Sequence, residues 1–373
     1  MSKVKKRILI VLSVIPAIVV FVLLAFFGLY FTRIQTISSM EQLTDYPDGY
    51  NLYRMDVKYD YSLEDIIDYG IKDDQTMIDA ILKEALPLIP VKMKAPNFGC
   101  TALTLTDTDG KVHMGRNYDF SRDTSAMLVY CTPKNGYKSI GFAALDNVSA
   151  NVPDENITKE LASLTAPFVC LDGMNEKGVS IAVLTLDCDP VRQNTGKPVI
   201  STTLAIRLVL DRAATTEEAV ELLRSYDMFA SAGRDYHFYI TDASGDGRVI
   251  EYDINSEPRE LIDTPSEAVT NFLIRHKDKV LPNQKNGIYG HGRERYDAVL
   301  KVMETEMGNY TNDTVWNAMK SAAQDPNPDD ITSNTQWSVS YNNTDLSADI
   351  AIRRHWGDVT HCELESKVTT PVK

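Results

Sequence analysis

The sequence predicts an α+β fold in which helices are layered on antiparallel sheets, preceded by an apolar helix and a short helical segment. Runs of alternating apolar and polar residues come in pairs separated by turn residues, which is typical of β-hairpins. Segments with helical periodicity lie in pairs between these hairpins and do not follow every strand. This arrangement favours antiparallel α+β layers over an alternating parallel fold.

The first 32 residues differ in composition from the rest. Basic residues within positions 3–7 precede an uncharged, mainly apolar run at positions 8–32. Such a run can cross a bilayer, and basic flanks stay on the cytoplasmic side. We therefore expect a cytoplasmic stub (1–7), a membrane anchor (8–32) and an extracytoplasmic remainder. A cleaved signal peptide, giving a secreted protein, is the alternative, although no small-x-small cleavage site ends the run.

Composition argues against a nucleic-acid partner and a metal centre. The formal net charge is −14, and no basic cluster follows position 7, whereas a surface that binds phosphates needs clustered Lys and Arg. The histidines lack metal-binding spacing, so we expect packing or surface roles for them and neither metal nor cofactor. They are His113, His237, His276, His291, His355 and His361.

The five cysteines are an odd number without close spacing, which indicates neither a zinc site nor a complete disulfide framework. Cys170 and Cys188 flank a predicted hairpin that turns at 175–178. Pairing about this turn sets Cys170 opposite Val183 and far from Cys188. We therefore expect no disulfide between them.

Residues 33–99 are interpreted as a helical pro-segment or linker. They contain two predicted helices, 63–69 and 75–86, the second with apolar residues at helical spacing. A stretch with two prolines follows at 86–91 and ends this helix.

Beyond Phe98 the pattern changes to hairpins. Residues 100–106 alternate as a strand, 107–110 form a turn and 111–115 return, so that a hairpin begins at Cys100 itself. Further hairpins are predicted at 168–186 and 236–253, helices at 202–211, 216–226, 295–306 and 312–323, and strands at 335–341 and 349–354.

Cys100 is a candidate nucleophile because of its neighbours. The return strand of its hairpin leads into Arg116 and Asp119. An arginine beside a thiol lowers its pKa and raises the thiolate fraction, and a carboxylate can orient a nearby proton acceptor. A surface Arg-Asp pair that closes the hairpin is the plainer alternative.

Several spaced motifs resemble the choloylglycine hydrolase family of linear amide hydrolases, which includes bile salt hydrolases and penicillin V acylases and, more distantly, N-acylethanolamine acid amidase and acid ceramidase. The motifs are Gly-Cys-Thr at 99–101, Asp-Gly-x4-Gly-Arg-Asn-x-Asp at 109–119, Asp-Gly-Met-Asn-Glu-Lys-Gly at 172–178, Val-Thr-Asn at 269–271, Glu-Arg-Tyr at 294–296 and Thr-Gln-Trp at 335–337. The resemblance implies an N-terminal-nucleophile hydrolase domain at 100–366, an αββα sandwich, followed by a tail at 367–373.

The resemblance also implies a mechanism. The Cys100 thiol attacks an amide carbonyl, and its own free α-amino group acts as the base, which requires that the Gly99-Cys100 bond be cleaved, an autoproteolysis we assign to the nucleophile itself. Asp119 is expected to hold the amine and Arg116 to favour the thiolate.

Two further positions match the oxyanion hole of the family. They are the side-chain amide of Asn271 and the backbone N–H of Thr185, a position where bile salt hydrolases carry asparagine and penicillin acylases tyrosine. Arg295 matches a distant arginine that steadies the site, with Arg293 as the alternative register.

We therefore expect an extracytoplasmic hydrolase of linear amides such as N-acyl amino acids, bile salts or penicillin V, with a small-molecule substrate. The motifs do not rank these substrates, and a homo-oligomer is compatible with them. The alternative is a membrane-tethered, unprocessed binding or sensing ectodomain with the same fold. A papain-like protease is disfavoured because no histidine has a matching partner pattern.

Overall fold

The computed structural model describes residues 3–91, 93, 99–365 and 369–372. Within them the helices are α1 (Lys3–Ile37), α2 (Leu63–Asp68), α3 (Asp74–Ala85), α4 (Ile157–Ser163), α5 (Thr202–Arg212), α6 (Thr216–Arg224), α7 (Arg293–Thr305) and α8 (Asn312–Ala322). The strands are β1 (Glu41–Gln42), β2 (Leu52–Asp56), β3 (Gly99–Thr106), β4 (Val112–Asp119), β5 (Ala126–Cys131), β6 (Ser139–Ala144), β7 (Cys170–Asn175), β8 (Ser180–Leu186), β9 (Val199–Ser201), β10 (Asp227–Phe229), β11 (Asp235–Thr241), β12 (Arg248–Tyr252), β13 (Leu261–Pro265), β14 (Ala268–Val269), β15 (Thr335–Asn342), β16 (Ser347–Ile352), β17 (Val359–Glu363) and β18 (Thr369–Val372).

Two large sheets form the centre of the molecule. One has nine strands in the order β1-β2-β5-β6-β7-β8-β11-β12-β13, and the other has seven in the order β14-β3-β4-β15-β16-β17-β18. Helices α5 and α6 pack on strands of the first sheet, α7 and α8 pack on the second, and β3 contacts β8 across the interface. This is the predicted αββα arrangement, which is therefore confirmed.

The predicted helices and hairpins of the second half are present within a few residues of their expected bounds. Two pairings depart from the antiparallel expectation, since β2 pairs with β5 and β9 with β10 in parallel. Long connections separate the strands of each parallel pair, so both strands of a pair can run in the same direction.

The hairpin of β7 and β8 is shifted by one residue from the predicted register. Asp172 lies opposite Ala182, because the turn closes with a hydrogen bond from the Asn175 N–H to the Val179 carbonyl at 3.0 Å. Cys170 and Cys188 form no disulfide, as expected, and neither does any other cysteine.

The segment before Cys100 is more than a helical linker. Both predicted helices are present as α2 and α3, and α3 begins with a capping box in which Asp73 accepts from the Thr76 N–H at 2.7 Å. The segment also supplies β1 and β2, which extend the nine-stranded sheet, with Leu52 and Met55 fully buried. It is therefore part of the hydrophobic core of the domain.

Helix α1 joins this core directly. Ile18–Ile37 is long and apolar enough to cross a membrane, with a mean hydropathy of 2.0, and its apolar side chains are largely exposed. Its last turns pack on the domain, because the Arg33 guanidinium donates to the Ala85 and Glu84 carbonyls at the C-terminal end of α3 at 2.7 and 2.6 Å. A cation is favourable there because the helix end carries partial negative charge.

Candidate active site

Cys100 lies at the start of β3, in the centre of the second sheet, and is fully buried. Strand pairing sets Cys100 opposite Tyr118 and Ala102 opposite Arg116. Directly opposed and diagonal residues of paired strands share one face of a sheet. The Cys100 and Arg116 side chains therefore meet on the face that packs against the nine-stranded sheet.

The Arg116 guanidinium and the Asp119 backbone N–H lie against the Cys100 thiol. Burial nevertheless dominates and raises the pKa of this thiol to about 12, although both contacts favour the thiolate. In the uncleaved chain the thiol is therefore protonated at neutral pH.

Arg116 is held by groups from both sheets. Its Nη2 donates to the Val183 carbonyl at 2.9 Å, and its Nε lies 3.4 Å from the Asp172 carboxylate on β7. Asp172 also accepts from Trp337 Nε1 at 3.1 Å and from the Tyr341 hydroxyl at 2.5 Å. Both charged groups are fully buried, so that Asp172 neutralises Arg116 and fixes its orientation.

The Asp119 carboxylate points to the opposite face of the sheet from the thiol. It accepts from Thr335 Oγ1 at 2.6 Å and Gln324 Nε2 at 3.0 Å, and Arg295 Nη1 lies 3.6 Å away. Burial raises the pKa of Asp119 above its ordinary value, although Arg295 and these hydrogen bonds oppose that shift.

Asn271 connects Cys100 to the facing sheet. Its Oδ1 accepts from the Cys100 N–H at 3.1 Å and from Arg295 Nη2 at 2.8 Å, while its Nδ2 donates to the Thr185 carbonyl at 2.9 Å. Two donors on one side and an acceptor on the other fix the orientation of this amide. Asn271 and the main chain of Thr185 therefore meet beside the amide nitrogen of Cys100.

Arg295 extends from the first turn of α7 to the same place. Its Nη1 donates to the Cys100 carbonyl at 3.0 Å and to Thr101 Oγ1 at 3.1 Å. Arg293 instead pairs with Asp297 and the Lys277 carbonyl. The structure thus favours the Arg295 register over the Arg293 alternative.

The sequence analysis missed several residues that support these groups. Asp172 and Thr335 lie in motifs that carried the family resemblance, so their role could have been inferred from those motifs. Gln324 lies outside them. Tyr118, at the variable position of the Arg-Asn-x-Asp motif, packs on Trp337 with ring centroids 4.2 Å apart, and its buried hydroxyl has no partner among the described residues.

No group of three or more His, Cys, Asp and Glu side chains is placed to hold a metal ion in the described part of the chain. The arrangement instead offers a thiol, two buried guanidinium groups, carboxylates and an amide around one main-chain nitrogen. With the αββα layers, this arrangement is the one expected of an amide hydrolase of the N-terminal-nucleophile type.

Within that class, residues 100–257 match the model of the linear amide C-N hydrolases, choloylglycine hydrolase family. A mutant of the conjugated bile acid hydrolase from Clostridium perfringens is similar in structure, with a TM-score of 0.54 and 16% identity over 74% of this chain and 96% of that chain. Penicillin V acylase from Agrobacterium tumefaciens gives a TM-score of 0.51 and 15% identity over 74% of this chain and 98% of that chain. The resemblance predicted from the motifs is therefore confirmed.

Proposed function

We propose that this chain is an extracytoplasmic hydrolase of linear amides in which Cys100 is the nucleophile, activated by cleavage of the Gly99-Cys100 bond. The observation that carries the proposal is the convergence of Arg116, Asn271 and Arg295 on the thiol, nitrogen and carbonyl of Cys100. An internal cysteine used only for packing needs no such set of buried charged and polar partners.

The first step is self-cleavage. The Cys100 sulfur attacks the Gly99 carbonyl carbon, the carbon–nitrogen bond breaks, and the nitrogen takes up a proton to become an amine. Water then hydrolyses the thioester, which leaves a carboxylate on Gly99 and restores the thiol. Arg116 favours this step because its positive charge beside the sulfur stabilises the thiolate.

In the mature enzyme the new amine takes the thiol proton, and the sulfur attacks the substrate carbonyl. An amine with a reference pKa near 8 is suited to this at neutral pH. Asn271 Nδ2 and the Thr185 N–H stabilise the oxyanion, and the Nδ2 contact with the Thr185 carbonyl holds these two groups together. Asp119 acts on the amine through Arg295, which lies 3.6 Å from its carboxylate and donates to the Cys100 carbonyl at 3.0 Å.

Helix α1 keeps the domain at the outer face of the membrane. A cleaved signal sequence is the alternative, although its apolar stretch is ordinarily only about 7–15 residues long. The anchor is favoured because Tyr30 and Arg33, at the end of the apolar run, are buried in the domain and bind Pro87 and Ala85. Loss of the helix would remove contacts on which the domain depends.

The substrate is a linear amide with an acyl group on one side and an amino acid or amine on the other. The similar structures are those of a conjugated bile acid hydrolase and a penicillin V acylase. Thr185 has a small side chain, and its proposed role uses only its backbone. Hydrolysis assays with glycine- and taurine-conjugated bile acids, penicillin V and N-acyl amines would identify the acyl group that the site accepts.

The test is the intact mass and N-terminal sequence of the purified chain. The wild type is expected to give a fragment that starts at Cys100, and Cys100→Ala is expected to remain uncut. Cys131→Ala is the matched control, because Cys131 is an equally buried strand cysteine of the other sheet and should leave cleavage unchanged.

An uncut wild-type chain without thiol reactivity or hydrolysis would favour the unprocessed binding ectodomain. Cleavage in the Cys100→Ala variant would show that another protease acts and would contradict self-processing. If alkaline carbonate extracts the wild-type chain from membranes, the proposed membrane anchor is contradicted. The proposed hydrolase activity is not tested by that result.

A further inference from the structure

A tripeptide strap, Gly290-His291-Gly292, lies directly on the proposed site. The His291 N–H donates to the Asn271 carbonyl at 2.9 Å, and Thr270 Oγ1 donates to the Gly292 carbonyl at 2.8 Å. Gly290 and Gly292 have positive φ angles of +101° and +83°, and a Cβ at either position would collide with Asn271 or Arg295. The strap needs glycine on both sides of His291 in order to lie this close.

The His291 side chain joins two further parts of the site. Its Nδ1 lies 2.7 Å from the Asp187 carboxylate, two residues beyond Thr185, and its Nε2 lies 2.8 Å from Thr332 Oγ1. The Thr332 carbonyl accepts from Gln324 Nε2, the group that also donates to Asp119. One buried ring thus connects the elements that carry Thr185, Asn271 and the Asp119 contacts.

The hydrogen-bond partners fix the orientation of the ring. Its Nδ1 faces the Asp187 carboxylate, an acceptor, and its Nε2 faces the Thr332 hydroxyl, which can accept or donate. The Thr332 hydroxyl also lies 2.7 Å from Asp330 Oδ1. Both ring nitrogens are thus held by polar partners from separate parts of the chain.

We propose that His291 is a positioning residue for amide hydrolysis, which through its contacts with Asp187 and Thr332 holds Asn271 and the Thr185 end of β8 in register with Cys100. This inference rests on the proposed function. His291 touches no reacting atom, and its effect passes through Asn271 and β8. A displacement of about 1 Å in such groups can cost on the order of 100-fold in rate.

The test compares His291→Ala and His291→Gln with wild type as full chains in detergent, using whichever of glycocholate and penicillin V the wild type hydrolyses. In His291→Ala we expect kcat to fall about 10- to 100-fold while KM changes less than about threefold, because transition-state stabilisation is lost and substrate contacts remain. His291→Gln should recover part of kcat, since its amide can still donate to Asp187 and accept from Thr332.

His361→Ala is the matched control. His361 Nδ1 also pairs with an aspartate, Asp349, at 2.6 Å, but it lies on β17, four strands from β3 in the same sheet. Its removal should leave kcat within about twofold of wild type. If His291→Ala does not fold, Asp187→Asn replaces it, since it removes the anchoring charge with little change of shape.

A folded His291→Ala chain with kcat within twofold of wild type would overturn the inference and leave the proposed function intact. The same holds if His291→Gln falls as far as His291→Ala, because the hydrogen bonds would then not carry the effect. A wild-type chain that neither cuts itself nor hydrolyses either probe would overturn the proposed function, and this inference with it.

Discussion

Replacing Asp172 by asparagine tests whether the buried pair with Arg116 holds the site together. The Asp172 Oδ2 faces Trp337 Nε1 and Arg116 Nε, while its Oδ1 faces the Tyr341 hydroxyl. All three partners donate to the carboxylate. Asparagine is neutral and has one acceptor oxygen, so its NH₂ group must face either Trp337 Nε1 and Arg116 Nε, which only donate, or the Tyr341 hydroxyl, which would have to turn and accept.

The expected loss of stability follows from burial. Arg116 and Asp172 are both fully buried, and removal of one partner from such a pair costs about 3–5 kcal/mol because the other charge stays buried and uncompensated. For a domain of this size, each kcal/mol shifts Tm by roughly 2–4 °C. Asp172→Asn should therefore melt on the order of 10 °C below wild type.

The assay is thermal unfolding of the full chain in detergent, followed by tryptophan fluorescence. Asp345→Asn is the control, since Asp345 pairs with Lys111 at the surface with its side chain 45% exposed, and exposed pairs contribute about 0–1 kcal/mol. If Asp172→Asn melts within 2 °C of Asp345→Asn, the buried pair of Asp172 and Arg116 does not stabilise the domain, and the reasoning from its burial is wrong.

Three further predictions concern the site and its activation. Tyr118→Phe should leave Tm unchanged or raise it slightly, because a buried hydroxyl without a partner is lost; a fall of several degrees on a melting curve would show that the hydroxyl is bound. The first-order rate of self-cleavage should rise nearly tenfold per pH unit between about pH 6 and 9, since burial raises the Cys100 pKa to about 12 and the thiolate attacks; a plateau below pH 8 on a gel time course would contradict it. The two cleavage products should co-elute in mild detergent, because β2 pairs with β5 and Tyr46 binds Asp358 at 2.9 Å; separate elution without denaturant would exclude a persistent two-piece enzyme.

The sequence predicts best what is local. The hairpin from Cys100 to Asp119 follows from alternation and an Asp-Gly turn, so Arg116 could be placed beside the thiol from spacing and strand pairing alone. Helices α5 to α8 follow from their apolar periodicity.

What could not be predicted depends on partners far apart in the chain. Strand β2 is short and mixed in composition, and it becomes a strand by pairing with β5, more than 70 residues later. His291 was assigned to packing or the surface because only spacing between histidines was considered, whereas its partner Asp187 lies 104 residues away. The face on which the Asp119 carboxylate lies likewise depends on Arg295 and Thr335.

The direct passage of α1 into the domain constrains how the enzyme meets its substrates. An α-helix rises 1.5 Å per residue and resists bending. If Ile18–Ile37 spans a bilayer, the domain that follows it therefore cannot rotate freely relative to the membrane. On the proposed anchoring, the domain would be held at one height above the lipid headgroups. Amides dissolved in bulk water would then have to diffuse to that layer, whereas amides partitioned into the membrane would reach it by lateral diffusion.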